Sequence, residues 1–269
     1  MDNSALRETW DQKAELHAAR KECKRKDSCS RLYEASWWGY IEPLLPEITG
    51  GRILEAGCGT GRWAERLAPM GFDLVLSDIS PVMLQKAREY AEQHGFAENL
   101  SFEELDVCGL HSLPNESFDM VISTGEPITM CSNPHQAISE YCRVVRPGGY
   151  VLCDAGNRYR KAFELFRTNP TDQVVQILET GEYVNHDGLA MHLLGPTELT
   201  SAFADQGMEL RTLAGITPMF TFPPDKDLNT ALSNDKTYQA MVTIAQEHAE
   251  RREIVNLSSR LLAVARKPF

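Results

Sequence analysis

Residues 52–63 read RILEAGCGTGRW, a short apolar run followed by three glycines at every second position. The apolar run predicts a buried β-strand, and the glycines predict a tight turn into a helix. Because Gly57, Gly59 and Gly61 have no side chains, a bulky ligand can approach the backbone, and the helix start offers free N–H groups. The stretch therefore predicts a ligand-binding turn.

The spacing of these glycines argues against two common phosphate sites. A dinucleotide-binding turn follows the pattern Gly-x-Gly-x-x-Gly, whereas the third glycine here, Gly61, comes one residue too early. A P-loop needs Gly-Lys followed by Ser or Thr, which this chain lacks at that point. A nucleoside without phosphates suits the turn better.

The form Glu55-x-Gly57-x-Gly59-x-Gly61 resembles motif I of the class I S-adenosylmethionine-dependent methyltransferases. In that family the glycine turn approaches the methionine and ribose parts of the cofactor, and the acidic residue fixes the turn and the amino group. The resemblance implies that Glu55 and the three glycines bind S-adenosyl-L-methionine, with S-adenosyl-L-homocysteine as the product.

A second predicted strand, residues 73–77, ends at Asp78. Asp78 lies about twenty residues beyond the glycines, where α/β nucleoside sites place a carboxylate on the ribose hydroxyls. The following segment resembles the family's Asp-x-Ser-x-x-Met pattern, which implies that Ile79 packs on the adenine and that Met83 lies near it. The alternative is that Asp78 only caps the next helix.

A third predicted strand, residues 100–105, is followed by Asp106 and Val107. In the family, the acidic side chain at this position accepts from the adenine amino group and the next backbone N–H donates to the ring. An aspartate after a strand is also common in turns. Asp106 follows the third predicted strand, which is its position in the family's order of motifs, and this favours the cofactor interpretation.

The fourth predicted strand, residues 118–123, leads into Ser123-Thr124-Gly125-Glu126-Pro127. Ligands bind at the carboxyl ends of parallel strands, so Ser123 and Thr124 are candidate cofactor contacts. Family members that act on nucleic-acid bases or protein amides carry Asn/Asp-Pro-Pro-Tyr/Phe here, and this chain does not. With the Pro-Gly-Gly turn of residues 143–149, the resemblance covers residues 52–154 and favours a small-molecule acceptor.

The predicted fold class is α/β: a doubly wound, seven-stranded, mostly parallel Rossmann-like sheet with N-terminal helices and a helical or irregular cap. We expect one methyltransferase domain over residues 1–269. Its predicted parts are an N-terminal helical cap (1–50), a cofactor-binding core (51–154) and substrate cap or lid insertions (155–195 and 214–256).

Transfer to an oxygen or a protonated nitrogen also requires a base. Glu126 is the first candidate for this catalytic role, followed by His192 and Tyr159. The alternatives are a turn residue for Glu126 and a core histidine for His192. Trp37, which precedes the glycine strand, is a candidate cofactor contact, with core packing as its alternative.

The amino-acid composition limits the classes of partner that this chain is expected to bind. A net charge of −11 disfavours a nucleic-acid substrate. Seven cysteines without Cys-x-x-Cys pairs favour free thiols and a cytoplasmic location. The sequence predicts no membrane span and no metal site, and it leaves a homodimer as a candidate assembly.

The sequence therefore predicts a methyltransferase acting on a small-molecule acceptor at O, N or C, similar to the ubiquinone- and menaquinone-biosynthesis methyltransferases. Two alternatives stay open. One is another transfer from the same type of cofactor, such as aminopropyl transfer, and the other is a non-catalytic S-adenosylmethionine-binding partner protein. The identity of the acceptor does not follow from the motifs, because acceptor choice lies in the cap segments.

Overall fold

The structure, a computed structural model, describes residues 3–24, 28–168, 172–216, 230 and 232–269. Part of the predicted lid, residues 217–229, lies outside the described residues. Within the described chain, no helix is both long enough and apolar enough to cross a membrane.

A seven-stranded sheet with the order β3-β2-β1-β4-β5-β9-β8 forms the centre of the molecule. The first five strands are parallel, and β9 pairs antiparallel with both β5 and β8. The strands of this sheet are β1 Arg52–Ala56, β2 Asp73–Asp78, β3 Leu100–Glu104, β4 Phe118–Ser123, β5 Val145–Gly156, β8 Glu209–Ile216 and β9 Arg260–Arg266. The predicted fold class is confirmed.

A separate two-stranded hairpin, β6 Glu182–Val184 and β7 Ala190–His192, lies in the region that the sequence predicts as an irregular cap. The helices are α1 Ser4–Lys24, α2 Ser28–Ile41, α3 Ala64–Leu67, α4 Pro81–His94, α5 Pro127–Met130, α6 Pro134–Val144, α7 Arg158–Thr168, α8 Asp172–Thr180, α9 Pro196–Ala204, α10 Asp235–Glu247 and α11 Arg252–Leu257.

The core consists of two apolar layers, one on each side of the sheet. Neighbouring side chains of a strand enter opposite layers, as Ile53 and Leu54 of β1 do. Both faces of the parallel strands are therefore buried, which explains why their sequences are nearly continuous apolar runs.

The order of the strands places a crevice at the carboxyl ends of β1 and β4. β2 and β3 lie on one side of β1, and β4 and β5 lie on the other, so the connections diverge at this point. Ligands of open α/β sheets bind at such a switch point. The two N-terminal helices and the α7–α8 region are the elements available to cover it.

Candidate cofactor and acceptor site

A cavity of about 480 Å³ lies at this switch point. Its walls come from the four strand exits, from the turn after β1 and from the N-terminal helices. The lining residues are Leu6, Trp10, His17, Arg31, Glu34, Gly57, Cys58, Gly59, Thr60, Arg62, Glu65, Arg66, Asp78, Ile79, Met83, Leu105, Asp106, Val107, Thr124, Gly125, Pro127, Met130 and Cys131.

The glycine turn has a backbone that other residues rarely adopt. Gly57, Gly59 and Gly61 have φ angles of 67°, 54° and 74°, in the left-handed region. A Cβ at Gly59 would have no atom within 4 Å, although this residue lines the cavity. The open space beside Gly59 fits a ligand that contacts bare backbone.

Glu55 stabilises the glycine turn through a hydrogen bond to the backbone that follows it. Its Oε1 accepts a hydrogen bond from the backbone N–H of Trp63 at 3.2 Å, and only 4% of the residue is exposed. Glu55 does not line the cavity. Its placement matches the predicted role in fixing the turn, and its contact with a cofactor amino group stays a prediction.

Asp78 joins the end of β2 to the glycine turn. Its Oδ2 accepts from the N–H of Gly59 at 2.8 Å, and its Oδ1 accepts from the N–H of Ser80 at 3.0 Å. Burial raises the pKa of Asp78 to about 6, although the backbone hydrogen bonds oppose this rise. Each oxygen keeps a further lone pair, so the carboxylate can accept from the two hydroxyls of a ribose.

The helix-capping alternative for Asp78 does not hold. Ser80 is the N-cap of α4, and its Oγ accepts from the N–H of Met83 at 3.0 Å. The role of Asp78 lies in the cavity wall and in the link to Gly59. The predicted adenine contacts Ile79 and Met83 line the same cavity.

Asp106 and Val107 form the far end of the cavity. The Asp106 Oδ1 accepts from the N–H of Cys108 at 2.9 Å, and its Oδ2 accepts from the side-chain amide of Asn3. An adenine amino group at Asp106 would compete with Asn3 for this oxygen. The start of α1 thus lies directly over the predicted adenine position.

Helix α1 is held across the cavity by polar contacts along its length. The Asp11 carboxylate accepts from Ser80 Oγ at 2.5 Å. Two ion pairs flank this contact, between Arg7 and Glu104 at 2.5 Å and between Glu15 and Lys86 at 2.8 Å. These pairs are partly exposed, so they orient the helix more than they stabilise it.

Residues of the two cap helices line the cavity where the sequence analysis names no contact: Leu6, Trp10, His17, Arg31 and Glu34. The rings of Trp10 and His17 meet edge to face, with centroids 5.4 Å apart. They are seven positions apart in the sequence, which places both on one face of a helix. That spacing indicates that the two side chains share a face, and the packing of the helices decides that this face lines the cavity.

Two other predicted cofactor contacts, Trp37 and Ser123, do not line the cavity. Trp37 is fully buried and packs against Trp63, with ring centroids 6.4 Å apart, so it takes the core role. Ser123 is also fully buried, and its hydroxyl bonds to that of Tyr141 at 2.9 Å. Thr124, in contrast, lines the cavity and accepts from the Trp63 indole N–H at 3.0 Å.

The predicted catalytic residues Glu126, His192 and Tyr159 do not line this cavity. His192 lies on β7 with its Nδ1 3.7 Å from a Glu182 carboxylate oxygen, and Tyr159 is 45% exposed on α7. The structure does not bring the three together.

Glu126 belongs instead to a network of charged groups. Its Oε2 lies 3.0 Å from the Arg260 guanidinium, which also lies 3.6 Å from Asp154 Oδ2 and donates to the Tyr33 hydroxyl at 2.9 Å. The backbone N–H of Glu126 donates to Asp154 Oδ1 at 2.8 Å, and the φ angle of Glu126 is 69°. Asp154 is completely buried, and burial raises its pKa to about 6.

Glu126 and Arg260 line a second, smaller cavity of about 220 Å³. Gly125 and Pro127 line the first cavity, so the turn after β4 separates the two. Two cations and one carboxylate of α7 also line the second cavity. Its other lining residues are Gly156, Asn157, Arg160, Lys161, Glu164, Tyr183, Met191, Leu193 and Ser259. Among the described residues, no group of His, Cys, Asp or Glu is arranged to hold a metal ion.

Comparisons with known proteins find similar sequences and similar folds. Residues 53–149 match the methyltransferase domain family. A ubiquinone biosynthesis O-methyltransferase from Alkalilimnicola ehrlichii is 29% identical over 178 residues, which cover 66% of this chain and 68% of the relative.

Solved structures show the same fold. An S-adenosylmethionine-dependent methyltransferase from Mesorhizobium loti superposes with a TM-score of 0.57 at 18% identity, covering 88% of this chain and 100% of that one. A chain from the complex of the Haloferax volcanii Trm112 methyltransferase activator with a methyltransferase gives a TM-score of 0.59 at 22% identity, covering 97% and 98%.

The sequence match spans the segment that builds the glycine turn and the exits of β2 and β4. The open backbone at Gly59 and the carboxylate of Asp78 fit the nucleoside part of the cofactor. We conclude that residues 53–149 of this chain form a domain similar to the methyltransferase domain family.

Proposed function

We propose that the enzyme transfers a methyl group from S-adenosylmethionine to a hydroxyl oxygen of a small molecule held beneath the N-terminal helices. The observation that carries this proposal is the shared cavity, in which cofactor-type groups and cap residues face the same space. The names of the relatives in ubiquinone biosynthesis support oxygen as the methylated atom.

In this proposal, Gly57, Gly59 and Thr124 surround the methionine and ribose parts of the cofactor. Asp78 accepts from the ribose hydroxyls, and Asp106 and Val107 bind the adenine. S-adenosylmethionine supplies a methyl group on a positively charged sulfur, which is a good leaving group. The chain has to orient the acceptor and exclude water, and helix α1 across the cavity can do both.

The proton of the acceptor hydroxyl needs a base, and His17 replaces Glu126 as our candidate. His17 lines the cavity on the cap side, whereas the Glu126 carboxylate is paired with Arg260. A ring nitrogen of histidine can act as a general base toward an acceptor hydroxyl. Glu126 then holds the turn after β4 in place.

Asp78→Asn should weaken the binding of S-adenosylhomocysteine by about 1–3 kcal/mol, because it removes a charged acceptor from the ribose hydroxyls. The pKa of Asp78 is raised to about 6, so the wild-type carboxylate becomes protonated as the pH falls through 6. Wild-type affinity should therefore decrease between pH 7.5 and 5. Calorimetry across this range checks both effects, and a variant with wild-type affinity would remove Asp78 from the ribose site.

The proposed reaction is tested with methyl-labelled S-adenosylmethionine and a panel of small phenols, catechols, amines and thiols. We expect labelled product with a hydroxyl-bearing acceptor and S-adenosylhomocysteine in equal amount. His17→Gln should lower kcat by about 100-fold or more while the affinity for S-adenosylhomocysteine stays unchanged. His135→Gln, an exposed histidine on α6, is the matched control.

Methylation of amines alone would contradict oxygen as the acceptor atom, and equal kcat for His17→Gln and His135→Gln would contradict the base. Neither aminopropyl transfer nor a purely non-catalytic role gains support from the relatives. The homodimer stays a prediction, which light scattering of the purified chain can check.

A further inference from the structure

Two cysteine thiols meet at the adenine end of the cofactor cavity. Cys108 directly follows Asp106 and Val107, and Cys131 follows the last residue of α5. The Cys108 Sγ lies 3.7 Å from the hydroxyl oxygen of Ser132, the residue that follows Cys131, and both cysteines are free thiols. The proposed methyl transfer uses neither of them.

The two thiols differ in exposure. Cys108 is half-buried, with its Sγ 3.3 Å from the carbonyl oxygen of Asn133 and 3.7 Å from the hydroxyl of Ser132. Cys131 is 1% exposed, and its Sγ contacts the carbonyl oxygen of Ile128 at 3.2 Å. A dissolved oxidant can therefore reach Cys108 before it reaches Cys131.

They also differ in acidity. The hydrogen bond from Cys131 lowers the pKa of Cys108 to about 7, although partial burial opposes this. Donation to Cys108, together with burial, raises the pKa of Cys131 well above that of an ordinary thiol. Accessible thiolates beside a second thiol are the arrangement found in redox-sensitive cysteine pairs.

We propose that Cys108 and Cys131 form a redox-modification site, in which a peroxide converts the two thiols into a disulfide that weakens cofactor binding. This proposal concerns the loop that carries Asp106 and does not depend on which acceptor the enzyme methylates.

The chemistry proceeds in two steps. The Cys108 thiolate attacks one oxygen of hydrogen peroxide, which breaks the O–O bond, forms a sulfenic acid at Cys108 and releases hydroxide. The Cys131 sulfur then attacks the Cys108 sulfur, its proton leaves with the departing hydroxyl as water, and the S–S bond forms. The two thiols lose two electrons and the peroxide gains them, and a dithiol reductant reverses the change.

The disulfide would alter the cavity because both cysteines belong to its surroundings. Cys131 lines the cavity, and the Cys108 N–H donates to Asp106 Oδ1 at 2.9 Å. Bonded sulfurs lie about 2 Å apart, much closer than two hydrogen-bonded thiols. The loop of residues 106–108 must therefore move relative to the end of α5, and this displaces the groups proposed to bind adenine.

The test treats the purified chain with hydrogen peroxide, blocks the remaining thiols and maps disulfides by mass spectrometry without reduction. We expect a Cys108–Cys131 disulfide and a rise of about tenfold in the Kd for S-adenosylhomocysteine, the size of losing one hydrogen bond to a charged group. Dithiothreitol should restore both the thiols and the affinity.

Cys108→Ser should form no such disulfide and should keep its affinity after peroxide treatment. The matched control is Cys29→Ser, a half-buried cysteine of α2, which should behave as the wild type. Cys131→Ser should stop at the sulfenic acid of Cys108, which dimedone labels. A peptide map without the Cys108–Cys131 disulfide would overturn the proposal, and so would a disulfide that leaves the Kd unchanged.

Discussion

Arg260→Met is expected to lower the free energy of unfolding by about 2–4 kcal/mol at pH 7.5, because it leaves the buried carboxylate of Asp154 and the partly buried carboxylate of Glu126 without their cation. The guanidinium pairs with both Glu126 and Asp154, and the Asp154 side chain is completely buried. Methionine keeps much of the length and the apolar part of the arginine side chain. The decrease in the free energy of unfolding therefore measures the effect of removing the charge. Urea unfolding monitored by tryptophan fluorescence measures it.

The free energy of unfolding should depend on pH because of Asp154. Burial raises its pKa in the folded state to about 6 from 3.8, so the folded state holds this proton more tightly than the unfolded state does. The stability that this proton contributes is fully present below pH 3.8 and is lost as the pH rises through 6. Without Arg260 the pKa should rise further, and the deficit of the variant should shrink between pH 7.5 and 5.

Two further variants isolate the buried charge. Arg260→Met combined with Asp154→Asn should be more stable than Arg260→Met alone, since it removes the unpaired carboxylate. Arg211→Met is the matched control, because Arg211 pairs with Glu209 at 2.9 Å on the surface of β8, and its loss should stay within about 0.5 kcal/mol. Equal losses for Arg211→Met and Arg260→Met would show that the network contributes no special stability.

Gly57→Ala is expected to lower the affinity for S-adenosylhomocysteine by about 100-fold or more, roughly 3 kcal/mol. Gly57 has a φ of 67°, and an added Cβ would lie 2.6 Å from Cγ of Pro127. The proline ring starts α5 and cannot rotate away, so the turn itself must shift. Calorimetric titration with S-adenosylhomocysteine measures the loss.

Gly71→Ala is the matched control for this substitution. Gly71 has a φ of 85°, but no atom lies within 4 Å of its added Cβ, and the residue does not line the cavity. In both variants, placing alanine in the left-handed region should lower the free energy of unfolding by about 1 kcal/mol. Gly71→Ala should nevertheless bind S-adenosylhomocysteine with the affinity of the wild type. Wild-type affinity in Gly57→Ala would show that the turn tolerates a side chain and does not contact the ligand closely.

The sequence predicted the sheet well and predicted several residues that line the cavity, because both depend on local patterns. The strand before Gly57 and the carboxylate after β2 follow from apolar runs and from a fixed spacing. Asp78, Asp106 and Thr124 accordingly line the predicted cavity.

The surroundings of Glu126 and of the N-terminal helices could not be predicted from the sequence, because they depend on contacts between distant segments. Glu126 follows β4, as expected, but its partner Arg260 begins the last strand of the sheet. Trp37 and His17 both lie on N-terminal helices, and only the packing of those helices decides that Trp37 enters the core and His17 the cavity. No local pattern contains that information.

The central claim is that the glycine turn and Asp78 bind a nucleoside cofactor without a pyrophosphate. A calorimetric titration of the full chain with S-adenosylhomocysteine, repeated in the presence of excess NAD, tests it most directly. We predict saturable binding of S-adenosylhomocysteine at one site per chain, with a Kd that NAD does not change. Absence of binding, or displacement of S-adenosylhomocysteine by NAD, would contradict the account.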